Sequence, residues 1–216
     1  MAVDVLAFSL LSLSSMIIII NPLSTTLVYV SLTENLDRAQ KLAIARDSCR
    51  YALGILLVFT LAGGWILQLF GITLEAFRIA GGILLFGIGM EMVYARVSRT
   101  KLTATEKYER RDDEDIAVMP LATPMITGPG AITTGVVLMN EAVGVNIIAI
   151  AVVIISVVIS ILITYYMLKY SDHIVNRIGQ REYRAINRLM GMLLIAIAVQ
   201  FVITGLREAF PALLGG

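Results

Sequence analysis

Long apolar runs separated by short charged connections form the main pattern of this chain. A helix needs roughly 20 apolar residues to cross the hydrocarbon core of a bilayer, and six runs approach or exceed that length. They cover about 5–32, 51–70, 76–96, 116–139, 145–168 and 188–207. Polar and apolar residues do not alternate at strand period, which excludes a transmembrane β-barrel. We therefore predict an all-α integral membrane protein with six transmembrane helices, numbered here as spans 1 to 6.

Composition supports this prediction and excludes several functions. Of the 216 residues, 58% are hydrophobic and only 15% are charged. Soluble domains carry roughly 25% charged residues. The net charge of +1 gives no sign of nucleic-acid binding. With one cysteine, Cys49, and one histidine, His173, the sequence offers neither a nucleophile–base pair nor clustered metal ligands. We predict no enzyme, no cofactor and no metal site.

Basic residues lie almost entirely on one side of the six spans. Fifteen of the 17 lysines and arginines fall in the connections after spans 1, 3 and 5 or at their edges. The other two, Arg78 and Arg207, fall on the opposite side. Cytoplasmic loops carry an excess of basic residues. We therefore expect a multi-pass membrane protein with both termini outside the cytoplasm.

Span 4 is interrupted by a dense group of helix-breaking residues. Three prolines and two glycines fall within the eleven residues 120–130. Each proline lacks an N–H and clashes with the carbonyl four residues back, so a continuous helix cannot pass. A broken helix at membrane depth is tolerated only inside protein or along a polar cavity. A plain kink is one interpretation, but such a dense break favours a binding site.

The two halves of the chain resemble each other. The run Arg-Ile-Ala-Gly at 78–81 matches Arg-Leu-Met-Gly at 188–191. The run Asn-Pro-Leu-Ser-Thr-Thr at 21–26 parallels 128–134, with one residue inserted. Because each copy has an odd number of spans, the second copy must insert upside down, which is a signature of secondary transporters.

This duplication predicts two three-helix repeats in one membrane domain. The first repeat covers 1–98 and the second covers 116–216. Between them, residues 99–115 carry eleven charges, which indicates a solvated cytoplasmic linker.

Both broken spans are expected to restart as helices in mid-membrane. Asparagine and glycine are good N-caps, and proline is the favoured first helical residue, so Asn21-Pro22 and Gly128-Pro129 each predict a new helix start. The next amides, of Leu23 and Ser24 or of Gly130 and Ala131, have no acceptor within their helix. They lie at helix ends that carry roughly half a positive charge. Two such ends meeting near the midplane favour an anion, most simply a substrate carboxylate.

The candidate substrate-binding residues are those of the two restarts together with nearby hydroxyls. Glycine would let a ligand approach the backbone directly. The threonine hydroxyls could line the site, or could bond back to their own helix, and the sequence leaves both open. The set is Asn21, Pro22, Leu23, Ser24, Thr25, Thr26, Thr127, Gly128, Pro129, Gly130, Ala131, Thr133 and Thr134.

Small residues elsewhere in the spans predict close helix packing. Ser156, Ser160 and Thr164 share one face of span 5, where packing is a better interpretation than lining a pathway. Seven glycines of spans 2 and 3 are interpreted in the same way: Gly54, Gly63, Gly64, Gly81, Gly82, Gly87 and Gly89.

Glu91 is the one acid well inside an apolar span. An intramembrane acid suggests a functional role, here proton coupling. However, it lies near the cytoplasmic edge, where it could instead reach water or Arg96. Its approximate mate in the second repeat is Gln200, which cannot titrate. Both residues are kept as candidates for coupling.

Four segments of the chain resemble the MarC/SnatA family of membrane proteins. They are Asn21-Pro22 with the helix after it, the run beginning Phe77-Arg-Ile-Ala-Gly, the run from Asp115 to Thr133, and the run beginning Ile186-Asn-Arg-Leu-Met-Gly. The most specific part is Pro-Leu-Ala at 120–122 with Gly-Pro-Gly-Ala-Ile-Thr at 128–133. The resemblance implies a six-span prokaryotic inner-membrane protein classed with neutral amino acid transporters.

Together these features predict a secondary transporter for a small neutral amino acid such as glycine or alanine. No nucleotide-binding loop is present, so H⁺ or Na⁺ coupling, or simple exchange, is expected. The alternatives are an exporter or channel for amino acids or small solutes, and a membrane regulatory protein that transports nothing. The oligomeric state is left open.

Overall fold

The computed structural model describes residues 5–94, 116–177 and 179–211, which are almost entirely helical. The predicted linker at 99–115 therefore lies outside the described residues. We name the stretch Ala117–Ile126, whose helical turns are interrupted by extended backbone at Met119 and Thr123, the proline segment. The regular helices are α1 (Val5–Ile20), α2 (Pro22–Leu32), α3 (Arg38–Leu69), α4 (Leu74–Val93), α5 (Pro129–Val143), α6 (Ile147–Lys169), α7 (Ser171–Arg177) and α8 (Gln180–Ala209).

These helices confirm the predicted all-α membrane fold. Five helical stretches of the described chain are long and apolar enough to cross a bilayer, and α1 with α2 counts as one of them. The proline segment and α5, bent by 55° at their junction, make a sixth if they are taken as one span. Helices α3 and α8 begin well before their apolar runs, so their charged first turns extend beyond the predicted spans.

Local capping explains where three of the spans begin. Asp37 accepts from the amide of Gln40 at 2.8 Å, and the Gln40 side chain accepts from the amide of Asp37 at 3.0 Å. This reciprocal capping box starts α3. Thr73 and Asn146 cap α4 and α6 by accepting from the amide three residues on. Each cap satisfies an amide that the first turn of a helix leaves free.

The two halves of the chain exchange packing partners. Helix α3 of the first half packs on the proline segment and α5, while α6 of the second half packs on α1 and α2. Helices α4 and α8 pack mainly on each other. Because α5 also contacts α1, α4 and α6, it lies at the centre of the molecule, and most of its residues are buried. Such an exchange is what a two-fold related pair of repeats would produce, and the division at 1–98 and 116–216 stays a prediction.

Glycines bring α4 and α8 into close antiparallel contact. A Cβ built at Gly89 would lie 3.0 Å from the carbonyl oxygen of Gly191, and one at Gly82 would lie 2.8 Å from that of Ala198. Glycines also bring α3 and α4 close to α5. Gly63 and Gly64 of α3 face Val136 and Asn140, and Gly81 of α4 faces Thr133. These contacts confirm five of the seven predicted packing glycines. The prediction was wrong for Gly54 and Gly87, where a Cβ would meet no atom within 4 Å.

Candidate functional site

The break in span 1 is built around Asn21. This residue has φ 48° and ψ 68°, a left-handed conformation that asparagine adopts more readily than other non-glycine residues. Its Oδ1 accepts from the amide of Ser24 at 3.2 Å, and Pro22 is the first residue of α2. The predicted cap and restart are therefore confirmed. One detail was wrong: the amide of Ser24 is satisfied by this cap and is not free for a ligand.

The break in span 4 follows from its prolines. Met119 and Thr123, which precede Pro120 and Pro124, have extended φ/ψ angles of −129°/123° and −132°/123°. Steric clash with a following proline disfavours the helical region, so each of these residues leaves it. Helix α5 then begins with Pro129 after Gly128, as predicted.

The fold places the two breaks side by side. A Cβ built at Gly130 would lie 3.5 Å from Cγ2 of Ile19, near the end of α1, and only 2.5 Å from Cδ2 of Leu85 on α4. Helix α2 also packs on the proline segment. The side of Gly130 that lacks a side chain therefore faces neighbouring helices. This differs from the expectation that its missing side chain makes room for a ligand, and any ligand contact must come through the amide.

The first amides of α5 have no acceptor within the described part of the chain. No side chain caps this helix, and its first helical bond runs from the amide of Ile132 to the carbonyl of Gly128 at 3.1 Å. Among the described residues, no acceptor is found for the amides of Gly130 and Ala131, and both residues are buried. Buried amides are paired in the great majority of cases, so an unpaired pair at a positive helix end is suited to an anion.

Most of the candidate threonines bond back to their own helix. The hydroxyls of Thr26 and Thr133 donate to the carbonyls of Pro22 and Pro129 at 2.8 and 2.9 Å, and the Thr25 hydroxyl donates to the Asn21 carbonyl at 3.3 Å. Thr127 donates to the carbonyl of Ala122 at 2.8 Å, and its oxygen lies 3.0 Å from that of Thr123. Thr134 differs, because its buried hydroxyl has no partner among the described residues.

The serine and threonine face of α6 is a packing face. Ser160 and Thr164 donate to the carbonyls of Ser156 and Ser160, and all three residues are buried. Helix α6 packs on α1, α2 and α3. This supports the packing interpretation of these residues.

A polar network joins the first break to the last span. The Ser24 hydroxyl donates to Oδ1 of Asn187 at 2.9 Å, and Nδ2 of Asn21 donates to that hydroxyl at 2.8 Å. Nδ2 of Asn187 lies 3.4 Å from the carbonyl of Met92, and the Tyr183 hydroxyl lies 3.4 Å from that of Ser24. The sequence did not identify Tyr183 or Asn187, because the apolar run of span 6 begins at 188. Helix α8 begins eight residues earlier, at Gln180, and brings both side chains to the break.

The two coupling candidates lie apart. Glu91 is half-buried next to Met92, and no ion-pair partner is found for it in the described part of the chain. Arg96, its suggested partner, lies outside that part. Gln200 is exposed and donates to the Thr204 hydroxyl at 3.1 Å. Since Gly89 meets Gly191 and Gly82 meets Ala198, the two residues are at different levels of the α4–α8 pair.

Comparison with known proteins gives one family over nearly the whole chain. The family model described as "MarC family integral membrane protein" matches residues 6–210. The UPF0056 membrane protein MJ1677 of Methanocaldococcus jannaschii is 40% identical, over 94% of this chain and 98% of its own.

More distant bacterial relatives carry the same description. The UPF0056 membrane proteins YvbG of Bacillus subtilis and YhcE of Escherichia coli are 35% and 32% identical, over 92% and 91% of this chain and 94% and 90% of their own. No solved structure matches the chain significantly. With its two adjacent broken spans and a family match from residue 6 to 210, the chain belongs to the MarC family of integral membrane proteins.

Proposed function

We propose that this protein is a secondary transporter of small neutral amino acids, glycine and alanine first, across the cell inner membrane. The observation that carries the proposal is the start of α5, where the amides of two buried residues, Gly130 and Ala131, find no acceptor in the part of the chain that the structure describes. A carboxylate placed there would satisfy both amides and meet the positive end of the helix dipole. Broken helices with their N-termini near the midplane are the way in which several secondary transporters bind carboxylates.

The neighbouring end of α1 offers the opposite charge. Helix α1 ends at Ile20, and its penultimate residue, Ile19, lies beside Gly130. The C-terminal end of a helix carries roughly half a negative charge. Because Pro22 has no N–H, the carbonyl of Ile18 lacks the donor that a continuous helix would supply. The ammonium group of an amino acid would be favoured at this end. A zwitterion without a charged side chain therefore matches both poles of the site.

The first break is better suited to border the proposed substrate site than to bind the carboxylate. Its cap already satisfies Ser24, and the side chains of Asn21 and Ser24 are engaged with Asn187. We therefore place the carboxylate at Gly130 and Ala131, with Leu23 and the first turn of α2 closing the other side.

Orientation and coupling complete the proposal. The distribution of basic residues supports an orientation with both termini outside the cytoplasm. Glu91 is the proposed proton-coupling residue, since it is half-buried next to Met92, which contacts Asn21. In proteoliposomes, Glu91→Gln should keep glycine exchange and lose accumulation driven by a pH gradient. Accumulation as in the parent would remove Glu91 from this role and favour Na⁺ or exchange.

Ligand binding to the purified protein tests the function directly. Thermal-shift and calorimetric titrations would compare glycine and alanine with glycinamide, which lacks the carboxylate, and with glycolate, which lacks the amine. Charge-assisted hydrogen bonds contribute about 1.5–3 kcal/mol each, so glycinamide should bind roughly ten- to a hundredfold more weakly. Equal binding of glycine and glycinamide would show that the α5 amides do not hold a carboxylate.

Transport assays separate the proposal from its alternatives. A transporter should show saturable counterflow of labelled glycine in proteoliposomes. A channel would give flux that does not saturate. A regulatory protein that transports nothing would give neither flux nor binding.

A further inference from the structure

Arg78 is the most deeply buried charged residue of the described chain, with 2% of its surface exposed. Its Nη2 lies 2.7 Å from Oε1 of Glu141, and its Nη1 lies 2.8 Å from Oε1 of Glu208. Its Nε, also buried, has no partner among the described residues. The two carboxylates are more than a third exposed. One guanidinium thus joins α4 to the last turns of α5 and α8, and we call these three residues the arginine clamp.

The arginine clamp borders a cavity of about 530 Å³ at this end of the helices. Glu75 and Asn140 also line the cavity, and Phe8 of α1 forms part of its wall. Glu75 adds a third carboxylate to the lining, but it is not one of the two carboxylates paired with Arg78. The lining therefore offers both a positive group for a carboxylate and negative groups for an ammonium.

Two buried hydroxyls lie between this cavity and the start of α5. On α1, Ser12 lies four residues after Phe8, which lines the cavity, and seven residues before Ile19, which lies beside Gly130. At this spacing the three side chains share one face of the helix. Thr134 follows Gly130 by four residues on α5 and precedes Glu141 by seven, again on one face. Helices α1 and α5 pack together, and the hydroxyls of Ser12 and Thr134 are buried without partners among the residues that the structure describes. Buried side-chain polar atoms are hydrogen-bonded in the large majority of cases, so these two hydroxyls are candidates for lining a route between the cavity and the start of α5.

We propose that the arginine clamp is the outer gate of a solute pathway that runs between α1 and α5, past Ser12 and Thr134, to the amides of Gly130 and Ala131. This inference rests on the proposed transport function. Opening the gate without a ligand would leave a buried arginine unpaired, which is strongly unfavourable. A zwitterion provides replacements, because its carboxylate can pair with Arg78 while its ammonium pairs with Glu141 or Glu208. The gate therefore opens more readily for a zwitterion than for a neutral solute of the same size.

Cysteine accessibility tests the gate without any assumption about the substrate. In a Cys49→Ser background, Ser12→Cys or Thr134→Cys is treated with a membrane-impermeant cationic thiol reagent, in right-side-out and in inside-out vesicles. Glu141→Gln is then added to break one arm of the clamp. We expect labelling from the outer side to become at least tenfold faster, with no change from the inner side.

Two controls isolate the clamp from a general loss of charge or packing. Glu75→Gln removes the same charge from the same cavity but touches no ion pair of Arg78, and should leave labelling unchanged. Leu11→Cys, on α1 at 52% exposure, should stay unlabelled in every background because it faces lipid. Glu208→Gln and Glu141→Asp are second clamp variants if Glu141→Gln does not elute like the parent in detergent.

The outcomes are separate from those of the binding test. Faster outer labelling in the clamp variants, and not in Glu75→Gln, supports the gate even if glycine does not bind, and the proposed substrate alone would then be wrong. Unchanged labelling in all clamp variants overturns the gate, as does equal acceleration by Glu75→Gln or faster labelling from the inner side. None of these labelling results bears on glycine binding, which calorimetry tests separately.

Discussion

Ser24 donates a hydrogen bond to Oδ1 of Asn187 at 2.9 Å, although the two residues are 163 positions apart in the chain. The bond ties the helix that restarts after the first break to the last span. At the other end of the α4–α8 pair, Arg78 ties α4 to the last turn of α5. The pair is therefore held to the broken spans by polar contacts at both ends. An arrangement of this kind allows the contacts at one end to open while those at the other end stay closed.

The Ser24–Asn187 bond should contribute measurably to stability. We expect Ser24→Ala and Asn187→Ala each to lower the free energy of unfolding, and the double variant to lose less than the sum. The coupling energy should be about 0.5–1.5 kcal/mol, the net contribution of a typical hydrogen bond. Thermal or denaturant unfolding in detergent provides the measurement. Strictly additive losses would contradict the bond.

Asn21 should stabilise the protein both through its left-handed backbone conformation and through its cap on α2. Asn21→Gly keeps access to the left-handed region and should cost a few tenths of a kcal/mol. Asn21→Ala loses the cap, typically about 1 kcal/mol, and also pays the left-handed strain of roughly 1–2 kcal/mol. The alanine variant should therefore unfold at a clearly lower temperature than the glycine variant. Equal melting temperatures would argue against the geometry of this restart.

Gly87 and Gly89 form a matched pair two residues apart on α4. A Cβ at Gly89 would lie 2.7 Å from Ile195 and 3.0 Å from the carbonyl of Gly191, whereas one at Gly87 would meet no atom within 4 Å. Gly89→Ala should destabilise the protein by about 1–3 kcal/mol through overpacking. Gly87→Ala should be neutral or stabilising by roughly 0.5–1 kcal/mol, since alanine favours a helix. The same unfolding assay compares the two variants. A larger loss of stability for Gly87→Ala than for Gly89→Ala would contradict this α4–α8 interface.

The orientation can be tested at two exposed loop positions in the Cys49→Ser background. Glu34 follows α2, and Val145 precedes α6. With both termini outside, a membrane-impermeant thiol reagent should label Val145→Cys in intact cells and Glu34→Cys only after permeabilisation. Labelling of Glu34→Cys in intact cells, with Val145→Cys protected, would reverse the proposed orientation and exchange the outer and inner ends of the pathway.

The membrane fold and both helix restarts could be predicted because they depend on local chemistry. Apolar run lengths predict spans, and Asn21-Pro22 and Gly128-Pro129 start helices through capping and a missing N–H, which act within a few residues. The proline segment likewise follows from what Pro120 and Pro124 forbid to the residues before them. None of these effects requires knowledge of which helices are neighbours.

What each side chain faces was decided by the tertiary structure. The sequence treats Gly87 and Gly89 alike, and only the rotation of α4 against α8 separates a packing contact from an open surface. Gly130 was expected to make room for a ligand, but Leu85 fills the space beside its Cα. In the sequence Arg78 was an outer basic residue and part of a repeated motif, and only the fold brought Glu141 and Glu208 to it, from 63 and 130 positions further along the chain. Capping and helix breaking depend on residues that are close together in the chain, so the sequence by itself determined where the helices restart. Burial and ion pairing depend on helix packing, so the fold alone determined which side chains meet between those helices.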